Sequence, residues 1–141
     1  LKLMPFNHQL RVRYGECDQQ GVVFNANYLA YIDDASEVWI RSNSPNQRYE
    51  DLGWEWMVVK SIIEWHSPAR TGDLLDMEIG VTRYGQKSFD LGTVGTVASR
   101  KVFSSKTICV SVKPVTHEPI VTPEHVLSIL GDVVELDIPD G

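Results

Sequence analysis

Leu10-Arg11-Val12-Arg13-Tyr14-Gly15-Glu16-Cys17-Asp18-Gln19-Gln20-Gly21-Val22-Val23-Phe24-Asn25-Ala26-Asn27-Tyr28 is the stretch that decides how this chain folds. Three signals follow one another in it. Leu10 to Tyr14 alternates apolar and basic residues, which predicts a strand. Gly15 to Gly21 is a loop punctuated by glycine at both ends. From Asn25 onward the spacing turns helical. Tyr28, Ile32, Ala35 and Trp39 recur on one face up to about Arg41, while Asp33, Asp34, Glu37 and Arg41 suit the solvent side. Asn25 or Asn27 can cap the first turn, and Asn43-Ser44-Pro45 closes the helix.

Outward from that helix the chain reads mostly as strands. A short helix is expected from Pro45, capped by Ser44, with Gly53 just past its end. Met57 to His66 is apolar and rich in β-branched residues. A turn at Thr71-Gly72-Asp73 leads into Leu75, Met77, Ile79 and Val81, which alternate with Asp76, Glu78, Gly80 and Thr82. Tyr84-Gly85-Gln86 is the next turn. Lys87 to Ala98 is a strand that Gly92 and Gly95 weaken or bend. Ile108 to Lys113 alternates up to Pro114. A last short helix is expected from Pro123, capped by Thr122 and stopped by Gly131. Short turns between strands favour antiparallel pairing. The expected class is α+β, with a curved antiparallel sheet wrapped around one long central helix. Such a sheet leaves a face and an edge uncovered, so association of copies is expected.

Composition narrows the function. The 141 residues fit a single domain spanning 1–141, and 43% hydrophobic with 23% charged residues is ordinary globular usage. A net charge of −6 argues against a nucleic-acid partner. No apolar run is long enough to span a membrane. The opening Leu1-Lys2-Leu3-Met4-Pro5-Phe6 is too short for an export signal. Cys17 and Cys109 form no C-x-x-C pair, so both are read as reduced thiols in a cytoplasm. His8, His66, His117 and His125 hold no metal-ligand spacing, and no metal is expected.

No G-x-S-x-G and no P-loop occurs, and Gly92-Thr93-Val94-Gly95 is no dinucleotide fingerprint. What stands out is Glu16, Cys17 and Asp18 in a loop just before a helix. A helix N-terminus offers free N–H groups and the positive end of a dipole, which can hold a developing oxyanion. A carboxylate beside it can act as base or nucleophile on a carbonyl. From composition alone, Asp18 reads first as a turn or capping residue. Tyr14 reads as core packing or as a hydrogen-bonding group near a site. Glu16 reads as a loop-positioning or solvated carboxylate, and Cys17 lacks the activating histidine a nucleophilic thiol needs.

The segment Arg11, Tyr14, Glu16, Cys17, Asp18, Gly21, Val22 and Val23 resembles the pattern R-x-x-[YF]-x-[ED]-[CT]-D-x-x-G-[VI]-V. That is the signature of hotdog-fold acyl-CoA thioesterases of the 4-hydroxybenzoyl-CoA thioesterase type. Pro68-Ala69-Arg70-Thr71-Gly72-Asp73-Leu74-Leu75 is similar to the family's P-A-x-x-G-D-x-L turn, and Gly85 to Phe89 adds a weaker match. The likeness covers about residues 8 to 114.

The resemblance implies hydrolysis of an acyl-CoA thioester to free acid and thiol. Asp18 would attack the carbonyl or activate water, with oxyanion donors at the helix start near Phe24 and Asn25. It implies a substrate surface drawn from Tyr14, Gly21, Val22, Val23, Arg70, Lys87 and Ser88, with Lys87 placed where some relatives contact the nucleotide. No cofactor is implied beyond the coenzyme A of the substrate. The implied unit is a homodimer, within a homotetramer, with sites at subunit interfaces. Asn25 departs from the family, where many relatives carry His. It cannot titrate near neutral pH, and it reads either as a hydrogen-bonding group or as a plain helix cap. Arg83, Arg100 and Lys101 are further candidates for phosphate contacts. Tyr31, Trp54, Trp56, Trp65 and Phe89 are candidates for an acyl pocket or for core. Two rivals share the scaffold: a thioesterase acting on a carrier-protein substrate, and a non-catalytic module that binds acyl-CoA. A third, a small isomerase or dehydratase, begins with helices, whereas this chain begins with a strand.

Overall fold

The computed structural model describes residues 4–141. Leu1, Lys2 and Leu3, part of the stretch read for an export signal, lie outside the described residues. Five strands form one sheet in the order β1-β3-β4-β5-β2, every neighbouring pair antiparallel. The strands are β1 (Phe6–Arg11), β2 (Glu55–Trp65), β3 (Leu74–Tyr84), β4 (Ser88–Val97) and β5 (Arg100–Val112). The long helix α1 spans Asn27–Asn43 and a short α2 spans Glu124–Leu130.

Alternation places Leu75, Met77, Ile79 and Val81 of β3 on the inner face, with Phe89 and Leu91 of β4 and Phe103 and Cys109 of β5. Tyr28, Tyr31, Ile32, Ala35, Trp39 and Ile40 of α1 close over them. The helical stripe read from the sequence is this buried face. No helix among the described residues is long and apolar enough to cross a membrane.

Several expectations need correction. β1 ends at Arg11 rather than running to Tyr14, and Tyr14–Glu16 forms a 3₁₀ turn instead. The strand begins earlier because Phe6, His8 and Leu10 alternate inward and pair with Ile79, Met77 and Leu75. α1 starts at Asn27, with neither Asn25 nor Asn27 capping it through a side chain. After Pro45 there are two 3₁₀ turns, Pro45–Gln47 and Tyr49–Asp51, in place of one helix; Asn46 and Gln47 adopt positive φ and break the run. β5 is 13 residues long and begins at Arg100. Its polar stretch Ser104-Ser105-Lys106-Thr107 lies ahead of the alternation read from Ile108, yet Ser104, Ser105 and Thr107 are buried between neighbouring strands. Thr122 makes no cap for α2; its hydroxyl pairs with that of Ser111 at 2.7 Å. The expected bend in β4 does occur, at the register shift between Gly95 and Thr96, and the Phe103 ring occupies the space a Gly95 side chain would take.

Candidate active site

The loop between β1 and α1 is fastened on both sides. Val12 N–H donates to Asp73 O at 2.8 Å, and Gly72 N–H donates to Val12 O at 2.8 Å. Farther along, Val22 bridges Arg70, and Val23 N–H donates to Ala69 O at 2.9 Å. The Pro68–Asp73 turn, recognisable in the sequence, is therefore the loop's anchor.

Within the loop the chain folds back on itself. Cys17 bridges Val23, Asp18 N–H donates to Val22 O at 2.9 Å, and Gly21 N–H donates to Asp18 O at 3.0 Å. Gly21 sits at φ +76°, a conformation that favours glycine. Asp18 is exposed and opens this tight turn; its Oδ1 accepts the Gln20 N–H at 2.8 Å. The turn-residue reading of Asp18 is thus fulfilled with one carboxylate oxygen, and the other has no protein partner among the described residues.

Glu16 organises the rest. Its carboxylate accepts from Arg13 N–H at 2.8 Å, from Arg13 Nη2 at 2.8 Å and Nε at 3.1 Å, and from the Tyr31 hydroxyl at 3.0 Å. Its carbonyl accepts the Phe24 N–H at 3.0 Å and the Asn27 side-chain amide at 2.8 Å. Burial pushes the Glu16 carboxyl up, but the bonds from Arg13 and Tyr31 outweigh it and hold the group below its ordinary value. Burial and the Glu16 carboxylate together push the Tyr31 phenol far up.

This arrangement decides which donors at the helix start are free. The Phe24 N–H, a candidate oxyanion donor from the sequence, is already committed to Glu16 O. The N–H groups of Asn25 and Ala26 have no acceptor among the described residues. Of the two candidate donors named from the sequence, Asn25 therefore keeps a free backbone N–H and Phe24 does not. The Asn25 side chain caps nothing, so the plain-cap reading fails.

Beside Asn25 lies a concavity of about 300 Å³ lined by Val22, Val23, Asn25, Tyr28, Trp65, His66, Ser67 and Pro68. Of the aromatic candidates, Trp65 lines it; it is half-exposed and meets Tyr28 edge-on at 6.3 Å. Tyr31 is buried against Glu16, Trp54 and Phe89 are core, and Trp56 stacks on Trp54. His66, Ser67 and Pro68 are not among the site residues named from the sequence; His66 reads there as the end of a strand and Pro68 as the first residue of the family turn.

The remaining predicted residues divide between two ends of the sheet. Arg70 sits on the loop anchor, and Arg100 braces the wall of the concavity through Ser67 Oγ and Pro68 O. Tyr14 is 84% exposed, which overturns its core reading. Lys87 and Ser88 stand at the start of β4, where Ser88 pairs with Val110, whereas the Asp18 loop adjoins the end where Val97 pairs with Arg100 and Trp65 with Phe103. Along β4 that separation is about 30 Å at roughly 3.3 Å per residue. Arg83 shares the Lys87 end, pairing with Asp90. Lys101 is held by Asp137 at 2.9 Å. Within one chain, Lys87 and Ser88 are therefore not brought to Asp18. Cys109 is buried and its thiol is pushed up to about 12 by burial, with Asp33 and Asp90 adding to the effect. Among the described residues, no three His, Cys, Asp or Glu side chains converge to hold a metal.

The sequence pattern of the thioesterase-like superfamily matches residues 12–130. A protein of Aquifex aeolicus (strain VF5) that carries a provisional esterase name is 25% identical over 130 residues, 92% of this chain and 100% of that one. Acyl-CoA thioester hydrolase YbgC of Escherichia coli O157:H7 is 24% identical over 127 residues, 87% of this chain and 93% of its own. The structure of a 4-hydroxybenzoyl-CoA thioesterase variant with 4-hydroxybenzoyl-CoA superposes at a TM-score of 0.82 and 18% identity, covering 92% of this chain and 100% of the other. That likeness establishes the hotdog fold.

Proposed function

The chain belongs to the thioesterase-like superfamily, and from that premise we propose that it hydrolyses an acyl-CoA thioester to the free acid and coenzyme A. The observation that carries this reading is that one hydrogen-bonded hairpin bears both an Asp18 carboxylate oxygen and an Asn25 N–H without a partner among the described residues. The thioester carbonyl would rest with its oxygen toward Asn25 N–H and its carbon toward the free Asp18 oxygen. As a nucleophile, the carboxylate forms a mixed anhydride and expels the thiolate; water then opens the anhydride. As a base, it takes a proton from the water that attacks. In both routes the negative charge on the carbonyl oxygen grows toward the N–H groups at the start of α1. The reaction draws on no metal or cofactor. Cys17 and Cys109 are unpaired, which fits a reducing compartment such as the cytoplasm.

The working unit in this proposal is a dimer, itself paired into a tetramer. β2 is an edge strand whose Met57, Val58, Val59 and Trp65 are 43%, 47%, 61% and 49% exposed. A long apolar edge of this kind is a template for strand pairing. Antiparallel pairing of two β2 edges about a two-fold axis sets one copy's Lys87–Ser88 end beside the other's Asp18 end. That supplies a basic group for coenzyme A phosphates, which a chain of net charge −6 needs locally.

The test is thiol release from benzoyl, 4-hydroxybenzoyl, acetyl, hexanoyl and palmitoyl thioesters of coenzyme A, with Asp18→Asn and Asp18→Ala beside the wild type. Turnover by the wild type and a loss of about 10²-fold or more in both variants is expected. Single turnover in ¹⁸O-water identifies the anhydride route if label enters the Asp18 carboxylate, which requires water to open the anhydride at the Asp18 acyl carbon; label found only in the product acid is the outcome of the base route and of opening at the substrate carbon alike. A folded wild type that binds acyl-CoA and turns over none of the panel would overturn the proposal in favour of a carrier-protein substrate or a binding module.

A further inference from the structure

The outer face of the sheet, away from α1, carries a feature that begins where the superfamily match ends at residue 130. Residues 132–141 have no regular secondary structure, yet they follow one row of the sheet. In that row Gly80 of β3 pairs with Gly92 of β4, Gly92 pairs with Lys106 of β5, and Lys106 pairs with Ile62 of β2. Val134 lies over Gly80, where an added Cβ would meet its Cγ2 at 2.5 Å. Ile138 lies over Gly92, where a Cβ would meet its Cδ1 and Cγ2 at 3.2 Å. Gly141 reaches the Ile62 side chain.

Polar contacts fix the same path. Val134 N–H donates to Val81 O at 2.9 Å, and Lys101 Nζ donates to Asp137 Oδ2 at 2.9 Å. The Tyr84 hydroxyl holds Gly131 O at the root. The segment is amphipathic across its width. Val134 and Ile138 are half-buried and Pro139 is buried, while Asp132, Glu135, Asp137 and Asp140 are exposed.

We infer that this segment is a strap that seals the outer face against a second copy, so that copies of the chain meet through β2 and the helix side alone. Two facing glycines give a flat floor on which another sheet could pack at about 10 Å. The strap occupies that floor with its own apolar residues and presents four carboxylates outward. Two outer faces brought together would then oppose like charges, which disfavours that pairing. The same contacts cover one row of the sheet face that was expected to lie uncovered.

Three variants of the full chain test the inference. In Gly80→Cys/Val134→Cys the two Cβ atoms would lie 3.6 Å apart, within the range of a disulfide. Oxidation is expected to cross-link them within one chain, read by non-reducing electrophoresis and peptide mapping, and to leave the sedimentation mass at the wild-type value. Val134→Ser/Ile138→Ser removes the apolar anchors without adding charge. Its apparent mass in sedimentation velocity is expected to rise to at least twice that of the wild type and to grow with concentration. Gly92→Val lifts the strap from below and should do the same if the serine variant fails to fold. A disulfide joining two chains, or a folded strap-released variant that keeps the wild-type mass at every concentration, would overturn the inference. Neither readout depends on thioester turnover.

Discussion

The Asp18 loop and the layer beneath α1 are held together by opposite means. In the loop, Asp18, Gln19, Gln20 and Gly21 are exposed, and order comes from directional bonds that converge on Glu16 and on the Ala69–Asp73 anchor. Beneath α1, Met77, Ile79, Leu91 and Phe103 are at most 1% exposed, and order comes from non-directional apolar burial shared among many neighbours. A hydrogen-bonded loop can lose one bond and shift a reactive group while the molecule stays folded. A packed layer spreads any loss over the whole domain. Chemistry and stability should therefore be separable by substitution.

The largest effect belongs to the layer. Met77→Ala should cost about 2–5 kcal/mol of unfolding free energy in urea titration. Turnover per folded molecule should stay within about two-fold, and a larger drop would mean that the layer and the loop are coupled. Next comes Glu16→Ala, which strands the Arg13 donors and the Tyr31 hydroxyl. Displacement of the loop should lower kcat by up to about 10²-fold, with the melting temperature falling less than in Met77→Ala. Glu16→Gln keeps an acceptor for Tyr31 and should recover part of that loss.

Smaller still is Tyr31→Phe, which removes one hydrogen bond and keeps the ring against Tyr28. A loss of about 1 kcal/mol is expected in the same urea experiment. The pH dependence sharpens the contrast further. Glu16 has a folded value below its ordinary 4.5, so its stabilising contribution is present above that pH and is lost as pH falls through the folded value. Melting curves from pH 3 to 7 should show the wild type losing its advantage over Glu16→Gln at the acid end, while Met77→Ala keeps a constant deficit. Last, a thiol reagent at pH 8 should label Cys17 in the native protein and reach Cys109 only on unfolding, since burial holds the Cys109 thiol at about 12.

Much of the fold was legible because its signals are local. The Tyr28, Ile32, Ala35, Trp39 stripe, the Leu75 to Val81 alternation and the Thr71-Gly72-Asp73 turn depend on spacing within a few residues. β5 was half missed because Ser104 to Thr107 is polar in composition and buried by context. At the site, Asp18 stands on its expected turn, but His66, Ser67 and Pro68 reach the concavity only because β2 ends beside the loop.

The sequence by itself determined the long helix and the glycine-punctuated loop that carries Asp18, because each rests on backbone preference and side-chain period over short range. Only the tertiary structure decided that Phe24 N–H is spoken for and Asn25 N–H is free, since Glu16 O must first be carried across the hairpin. Only strand pairing set Lys87 and Ser88 at the far end of the sheet from Asp18 and put Gly80, Gly92 and Ile62 in one row beneath Val134 and Ile138. Register and proximity are properties of distant segments meeting, and no local preference encodes where those segments will meet.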